Sequence, residues 1–272
     1  MTEFWTIYWL AVIFVLGLCM GSFLNVCICR IPREKSVIWP PSACPNCNSQ
    51  IKWYDNFPVL SWFLLGAKCR NCKLPISVVY PVVELLTGFF FLTIWLIYPI
   101  DVFGWLAPIY MLAVFGLLLG TFIDLEHMII PDRVTIGGMV IFPIISMLFP
   151  LLQGEVTWLG GLKDSLIGLA AGFGALWIVR EVGSAALKQE AMGFGDVKLM
   201  GAIGALFGWE AVIYIVFFSA LIGSVAGISL IALHRKGIQS QIPYGPYISL
   251  AAFSWMLGGS RLWDIYLSIM GF

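Results

Sequence analysis

Apolar residues in this chain come in long runs broken by short polar stretches. Neither the strict alternation of a half-buried strand nor the single stripe of a surface helix dominates the pattern. A helix needs about 20 apolar residues to cross a hydrocarbon core roughly 30 Å thick, and about eight runs approach that length. They cover residues 5–29, 79–98, 105–123, 134–152, 166–182, 197–207, 211–233 and 245–270. The pattern predicts an all-α polytopic membrane protein of about eight transmembrane helices. The sixth run is short enough for a half-helix, because little more than Gly208 to Glu210 separates it from the seventh. Three parts follow: an N-terminal anchor at 1–29, a polar segment at 30–78, and a membrane-embedded core at 79–272.

Composition agrees with this reading. The 272 residues are 60% hydrophobic and 11% charged, with a mean hydropathy of +0.94, whereas about 25% of residues are charged in a soluble domain. A formal net charge of zero offers no basic surface for nucleic acid. The first run begins near Glu3 and ends in "NVCICRIPR"; with no basic start and no small-residue cleavage site, it reads as a retained anchor and not a removed signal. Positive charge after that run places the next segment in the cytoplasm. If the runs alternate from there, all of the 15 basic residues except Lys163 and Arg261 fall on the cytoplasmic side, Arg235 and Lys236 included. Trp5, Trp105 and Trp158, near run ends, are expected to anchor the chain at the membrane interfaces.

The 30–78 segment carries "CPNC", Cys44 and Cys47, and then "CRNC", Cys69 and Cys72, with 21 residues between the pairs. Two such turns let four thiolates close a tetrahedron around zinc. Four sulfurs leave no open coordination position, so the expected role is structural: the metal holds together a segment too small for a core of its own. Disulfides or a redox dithiol are the competing readings, and a reducing cytosol disfavours the former. Cys19, Cys27 and Cys29 lack ligand spacing and are expected to pack as small apolar side chains.

Acids stand out in so apolar a chain. "GTFIDLEHMIIPDRVT" holds Asp124, Glu126, His127 and Asp132, and "AMGFGDVKLM" holds Asp196. Both stretches fall on the basic face. A charge at membrane depth costs about 2.5–3.5 kcal/mol on insertion scales, which points to function. Two carboxyls sharing one proton can hydrolyse an amide, the ionised one activating water and the protonated one donating to the carbonyl oxygen or the leaving nitrogen. Asp124 ends a predicted helix and Asp196 begins one, so the helix dipoles predict that the proton resides mainly on Asp124. Gly193 and Gly195 would let an extended substrate backbone come close. Lys198 is expected either to orient a carboxylate or to meet lipid headgroups, and Asp132, after Pro131, to shape the return from the Asp124 loop. His127 has no histidine or cysteine near it to share a metal.

"GSFLNVCICRIPR", the two cysteine pairs, "ISVVYPVVELLTG", "FIDLEHMIIPD", "GFGDVKLMGAIGALFG" and "IPYGP" occur in that order from about residue 21 to residue 247. Together they resemble the type IV prepilin peptidases, bifunctional leader peptidases and N-methyltransferases of the bacterial inner membrane. The resemblance implies a Gly-x-Gly-Asp aspartyl protease with Asp124 and Asp196 as its catalytic pair. It implies removal of a basic leader, after a glycine, from prepilins and from type II secretion pseudopilins. It further implies methylation of the new amino terminus with S-adenosylmethionine, an activity associated with the four-cysteine segment. No glycine-rich nucleotide loop marks the donor's site. Glu84, in "YPVVELLTG", is expected to make a buried polar contact. Alternative readings are a peptidase without methyltransferase activity, a presenilin-type protease, a transporter with interfacial acids and a noncatalytic zinc-bearing assembly protein. The oligomeric state stays open.

Overall fold

The computed structural model describes residues 3–233 and 242–271, so Arg235 and Lys236 of the basic face lie outside it. Its helices are α1 (Glu3–Arg30), α2 (Leu60–Leu64), α3 (Val79–Ile97), α4 (Ile100–Phe103), α5 (Leu106–His127), α6 (Asp132–Leu148), α7 (Trp158–Leu187), α8 (Phe194–Ala232), α9 (Gly245–Ser254) and α10 (Ser260–Met270). Among the described residues there is no strand, only two isolated bridges. Every apolar run read from the sequence is helical. Five helices, those beginning at residues 4, 79, 106, 158 and 194, are long and apolar enough to cross a membrane. The remaining runs take other forms. The one centred on α6 gives only 17 helical residues. The sixth and seventh are two helical stretches of α8 that meet at a non-helical break at Gly208. The last is interrupted by a π turn at Trp255–Gly259. Rows of apolar side chains stay uncovered along the helices, among them Leu112, Ile141, Val179, Phe217 and Val225, as lipid-facing surfaces require. Trp5, Trp105 and Trp158 are exposed near helix ends.

The chain divides into two compact units, Met1–Leu119 and Gly120–Phe272. In the first, α1 packs on α3 through small residues. A Cβ added at Gly17 would lie 2.7 Å from the Gly88 Cα, and one at Gly21 would lie 2.6 Å from the Glu84 Cα. Without an apolar driving force between helices in lipid, such close backbone approach maximises dispersion contact. Asn25 adds a polar tie, its amide donating to the Tyr80 carbonyl at 3.1 Å. The four-cysteine segment follows α1 and precedes α3.

In the second unit the N-terminal half of α8 is the central element. Val197, Met200, Ala205 and Leu206 are at most 1% exposed, and a helix that is apolar all round belongs in the middle of a bundle. α7 lies along it: a Cβ at Gly168 would overlap the Gly204 carbonyl, and one at Gly172 the Met200 carbonyl. Gly168, Gly172 and Gly204 therefore serve helix packing. At Gly208 the backbone turns to φ 82°, ψ 176°, which only glycine adopts readily. The kink frees carbonyls that lipid cannot satisfy. The Gln153 amide donates to the carbonyls of Ala205 and Leu206 at 3.1 and 3.0 Å, and the Ser165 hydroxyl to Ala205 at 2.6 Å. These contacts fix the axis that carries Asp196.

Gly168→Ala forces α7 away from α8 and is expected to destabilise the chain by about 1–3 kcal/mol, as overpacking does. Gly174→Ala, where nothing lies within 4 Å, is expected to be neutral or to gain up to about 1 kcal/mol. Thermal unfolding of the two variants in the same detergent compares them directly.

Candidate functional site

Asp124 lies in the last turn of α5 and Asp196 in the first turn of α8. The fold buries both, to 5% and 7% exposure, and brings them within electrostatic reach of each other. Their environments differ. The Asp124 Oδ2 accepts the Gly245 backbone N–H at 3.0 Å, from the start of α9. The Asp196 Oδ1 is buried without a hydrogen-bond partner. Its backbone N–H donates to the Gly193 carbonyl at 3.2 Å, which closes the turn that opens α8.

Three glycines leave the space around these carboxyls free of side chains. A Cβ at Gly193 would lie 3.3 Å from the Asp196 Oδ2, one at Gly195 3.2 Å from the Ile130 Cβ, and one at Gly245 2.8 Å from the Asp124 Oδ2. Gly195 and Gly245 both close on Ile130, so the loop between α5 and α6 forms a third side of the site.

The other acid and the lysine pair with each other. Lys198 bonds to Asp132, joining the start of α6 to the start of α8, and the ammonium also lies 5.5 Å from the Phe194 ring centroid. The Asp132 side chain is 61% exposed, so the pair is a surface clasp. His127 comes no nearer than 3.9 Å to Glu126 and joins no metal-binding group among the described residues.

Two contributors went unassigned at the level of sequence: the Gly245 amide and Tyr244. The Tyr244 hydroxyl bonds to Ser219 at 2.8 Å and stands within electrostatic reach of Asp196. The signal was present, since both residues belong to "IPYGP", but a backbone donor leaves no chemical trace in a sequence.

In the first unit the four cysteines converge, every Sγ lying within 4.8 Å of the others. A tetrahedron with Zn–S bonds of about 2.3 Å has edges of roughly 3.8 Å, and Cys44 and Cys72 already stand 3.9 Å apart. The two turns are built alike. Ala43 bridges Gln50 and Lys68 bridges Pro75; Asn48 and Lys73 take positive φ after each pair and donate to the carbonyls of Cys44 and Cys69 at 2.9 and 3.0 Å. The thiols are tuned for a cation. Hydrogen bonds from the Ser49 hydroxyl and amide lower the Cys47 thiol to about 6, and the amides of Cys72 and Asn71 lower Cys69. At Cys72 the Leu74 amide pulls down, but burial and the crowd of sulfurs prevail and push it up to about 11. Four thiolates cannot share this space without a positive ion. The donor set fits zinc, which would cross-link the two turns.

Cys27 is buried as a packing residue, but Cys19 and Cys29 are exposed, which corrects the expectation that all three pack inside; α1 turns those two positions outward. Glu84 is buried at 8% exposure, its Oε2 accepting the Val59 amide at 2.7 Å, with the Ser22 hydroxyl also bonded to it. The expected polar contact is there.

Comparison with known proteins matches residues 15–98 to the bacterial peptidase A24 N-terminal domain and residues 110–228 to the type IV leader peptidase family. Proteins named prepilin leader peptidase/N-methyltransferase are 40% identical in Myxococcus xanthus, over 84% of this chain and 65% of that protein, and 34% identical in Aeromonas hydrophila, over 95% and 93%. The relative of that name in Pseudomonas aeruginosa is 31% identical over 95% of this chain and 93% of its own length. No solved structure matches the chain.

The purified chain is expected to hold one zinc ion, measured by mass spectrometry of the intact metal-bound protein. Cys44→Ser or Cys72→Ser should abolish retention through dialysis, and chelation should make the 30–78 segment sensitive to proteolysis, given the roughly 10–16 kcal/mol that structural zinc contributes to small domains.

Proposed function

Since this chain belongs to the type IV leader peptidase family, we propose that it removes the basic leader from type IV prepilins and type II secretion pseudopilins, cutting after a glycine, and then methylates the new amino terminus. In this reading the chain crosses the bacterial inner membrane about eight times, with Asp124 and Asp196 at the cytoplasmic face as the catalytic pair. The observation that carries the reading is the burial of two carboxyls within electrostatic reach at the ends of different helices, each accepting a backbone N–H and one of them, Asp196, keeping a buried oxygen without a partner.

The hydrogen bonds also support a division of labour. Both carboxyls accept a backbone N–H, but Asp196 also holds a buried oxygen without a partner, and such an oxygen is less costly on a neutral group. Asp124 is therefore the general base and Asp196 the acid, the reverse of the dipole-based expectation. Asp124 takes a proton from water as the oxygen attacks the scissile carbonyl, and Asp196 gives its proton to the carbonyl oxygen. The tetrahedral intermediate then collapses: the C–N bond breaks, the proton held by Asp124 leaves with the amine, and a hydroxyl proton of the diol returns to Asp196. Gly193, Gly195 and Gly245 admit an extended substrate backbone: a Cβ at Gly193 or Gly245 would stand against a carboxyl, and one at Gly195 against Ile130. The Lys198–Asp132 clasp holds the starts of α6 and α8 together and so positions Asp196.

The leader is basic and the segment behind it apolar, so the scissile bond comes to rest at the membrane interface, where acids at helix ends can reach it. S-adenosylmethionine supplies an electrophilic methyl: the amine lone pair takes the methyl, the S–C pair stays on sulfur, and the proton lost from nitrogen passes to water. The four-cysteine segment, held by zinc, belongs to this second activity.

Mass spectrometry of a coexpressed prepilin reads the two reactions separately, one as loss of the leader and the other as one added methyl. Asp124→Asn and Asp196→Asn should each reduce leader removal by at least about a thousandfold, within the scale of losing a group that acts as part of a unit. Gly245→Ala, which drives a methyl against the Asp124 Oδ2, should cost about 10²-fold, the effect of a misplacement near 1 Å, with thermal stability little changed. Wild-type cleavage by either Asn variant would refute the aspartyl mechanism.

A further inference from the structure

The first unit holds a cavity of about 330 Å³, within the roughly 300–1,000 Å³ range of small-molecule sites. One wall is a single face of α1, where Ser22, Phe23, Val26 and Arg30 follow one another at helical spacing; the other is the 37–42 segment together with Asn56. α1 is 28 residues long, about 42 Å at 1.5 Å per residue against a hydrocarbon core of about 30 Å. The cavity lies at its C-terminal end, where the helix passes into the polar 30–78 segment.

The lining is chemically mixed in a particular way. Phe23, Val26 and Pro41 offer flat or apolar surface, and Ser22, Ser42 and Asn56 offer hydroxyl and amide groups. Arg30 is held in place by donating to the carbonyls of Ser36 at 3.0 Å and Pro41 at 3.5 Å. That leaves guanidinium N–H groups for a carboxylate. The two walls share one buried support: Glu84 bonds the Ser22 hydroxyl on one side and the Val59 amide, next to the lining residue Pro58, on the other.

We propose that this cavity is where S-adenosylmethionine binds, a step that rests on the methyltransferase reading above. The apolar surface takes the adenine, the hydroxyl and amide groups take the ribose, and Arg30 takes the methionyl carboxylate. A water-soluble donor has to meet an amine carried on the end of an apolar helix, and a pocket walled by a membrane helix on one side and a polar segment on the other lies at the depth where both can arrive. Glu84 is a positioning residue, since it ties the two walls without lining the space.

The test uses the full chain in detergent with zinc bound. Calorimetry with S-adenosylhomocysteine, which lacks the transferable methyl, measures binding apart from turnover. Ultraviolet photolabelling with tritiated S-adenosylmethionine, followed by peptide mapping, locates the site. Val26→Phe and Ser42→Trp, which fill the cavity, should each weaken S-adenosylhomocysteine by about tenfold or more, while zinc content and leader removal stay at wild-type levels. The label should map to residues 19–42 or to the neighbourhood of Asn56. If either variant fails to fold, the wild-type label alone decides. Wild-type affinity in both folded variants, or label confined to other peptides while a coexpressed prepilin still gains its methyl, overturns the cavity and leaves the methyltransferase reading standing. No binding and no added methyl overturns both.

Discussion

Everything in the second unit answers to the cost of keeping two carboxyl groups out of water. Asp124 and Asp196 are almost wholly buried in a chain whose surroundings are hydrocarbon, where each unpaired charge is expensive. The fold meets that cost at helix ends, where backbone groups are unspent. The amide of Gly245, left over at the start of α9, goes to Asp124, and the turn through Gly193 closes on the Asp196 amide. Asp196 keeps one buried oxygen without a partner.

That placement needs a rigid frame, and the frame is made of small residues. α7 and α8 touch backbone to backbone at Gly168 and Gly204, and the kink at Gly208 is held by Gln153 and Ser165. Hydrophobic burial cannot distinguish protein from lipid, so packing and hydrogen bonds decide helix positions here. The first unit solves a different problem. Its polar segment has little apolar material to bury, and two equivalent turns bring four sulfurs together to substitute for a core. The cavity against α1 arises where this segment leaves and rejoins the membrane helices.

Much of this was legible in the residues. Run length announced the helices, because the thickness of the bilayer imposes a minimum length on each apolar stretch. The cysteine spacing announced the metal centre, because a Cys-x-x-Cys turn presents two sulfurs to one ion by local geometry alone. "GFGD" and "FIDLEHMIIPD" announced the acids, because carboxylates are rare in such company. Other features are non-local. That the break between the sixth and seventh runs has its freed carbonyls satisfied depends on Gln153, more than 50 positions away along the chain. That Lys198 binds Asp132, and neither Asp124 nor Asp196, depends on how α6 meets α8.

The amino-acid sequence by itself determined the helical class, the four cysteines able to share a metal ion and the two acids set among apolar runs, since each follows from residue type and short-range spacing. Tertiary structure alone decided that the Gly245 amide meets Asp124, which glycines stand against carboxylates and which against neighbouring helices, and where a cavity opens beside α1. Those outcomes turn on contacts between segments far apart along the chain, formed by backbone atoms that every residue carries and that no sequence motif can therefore reveal.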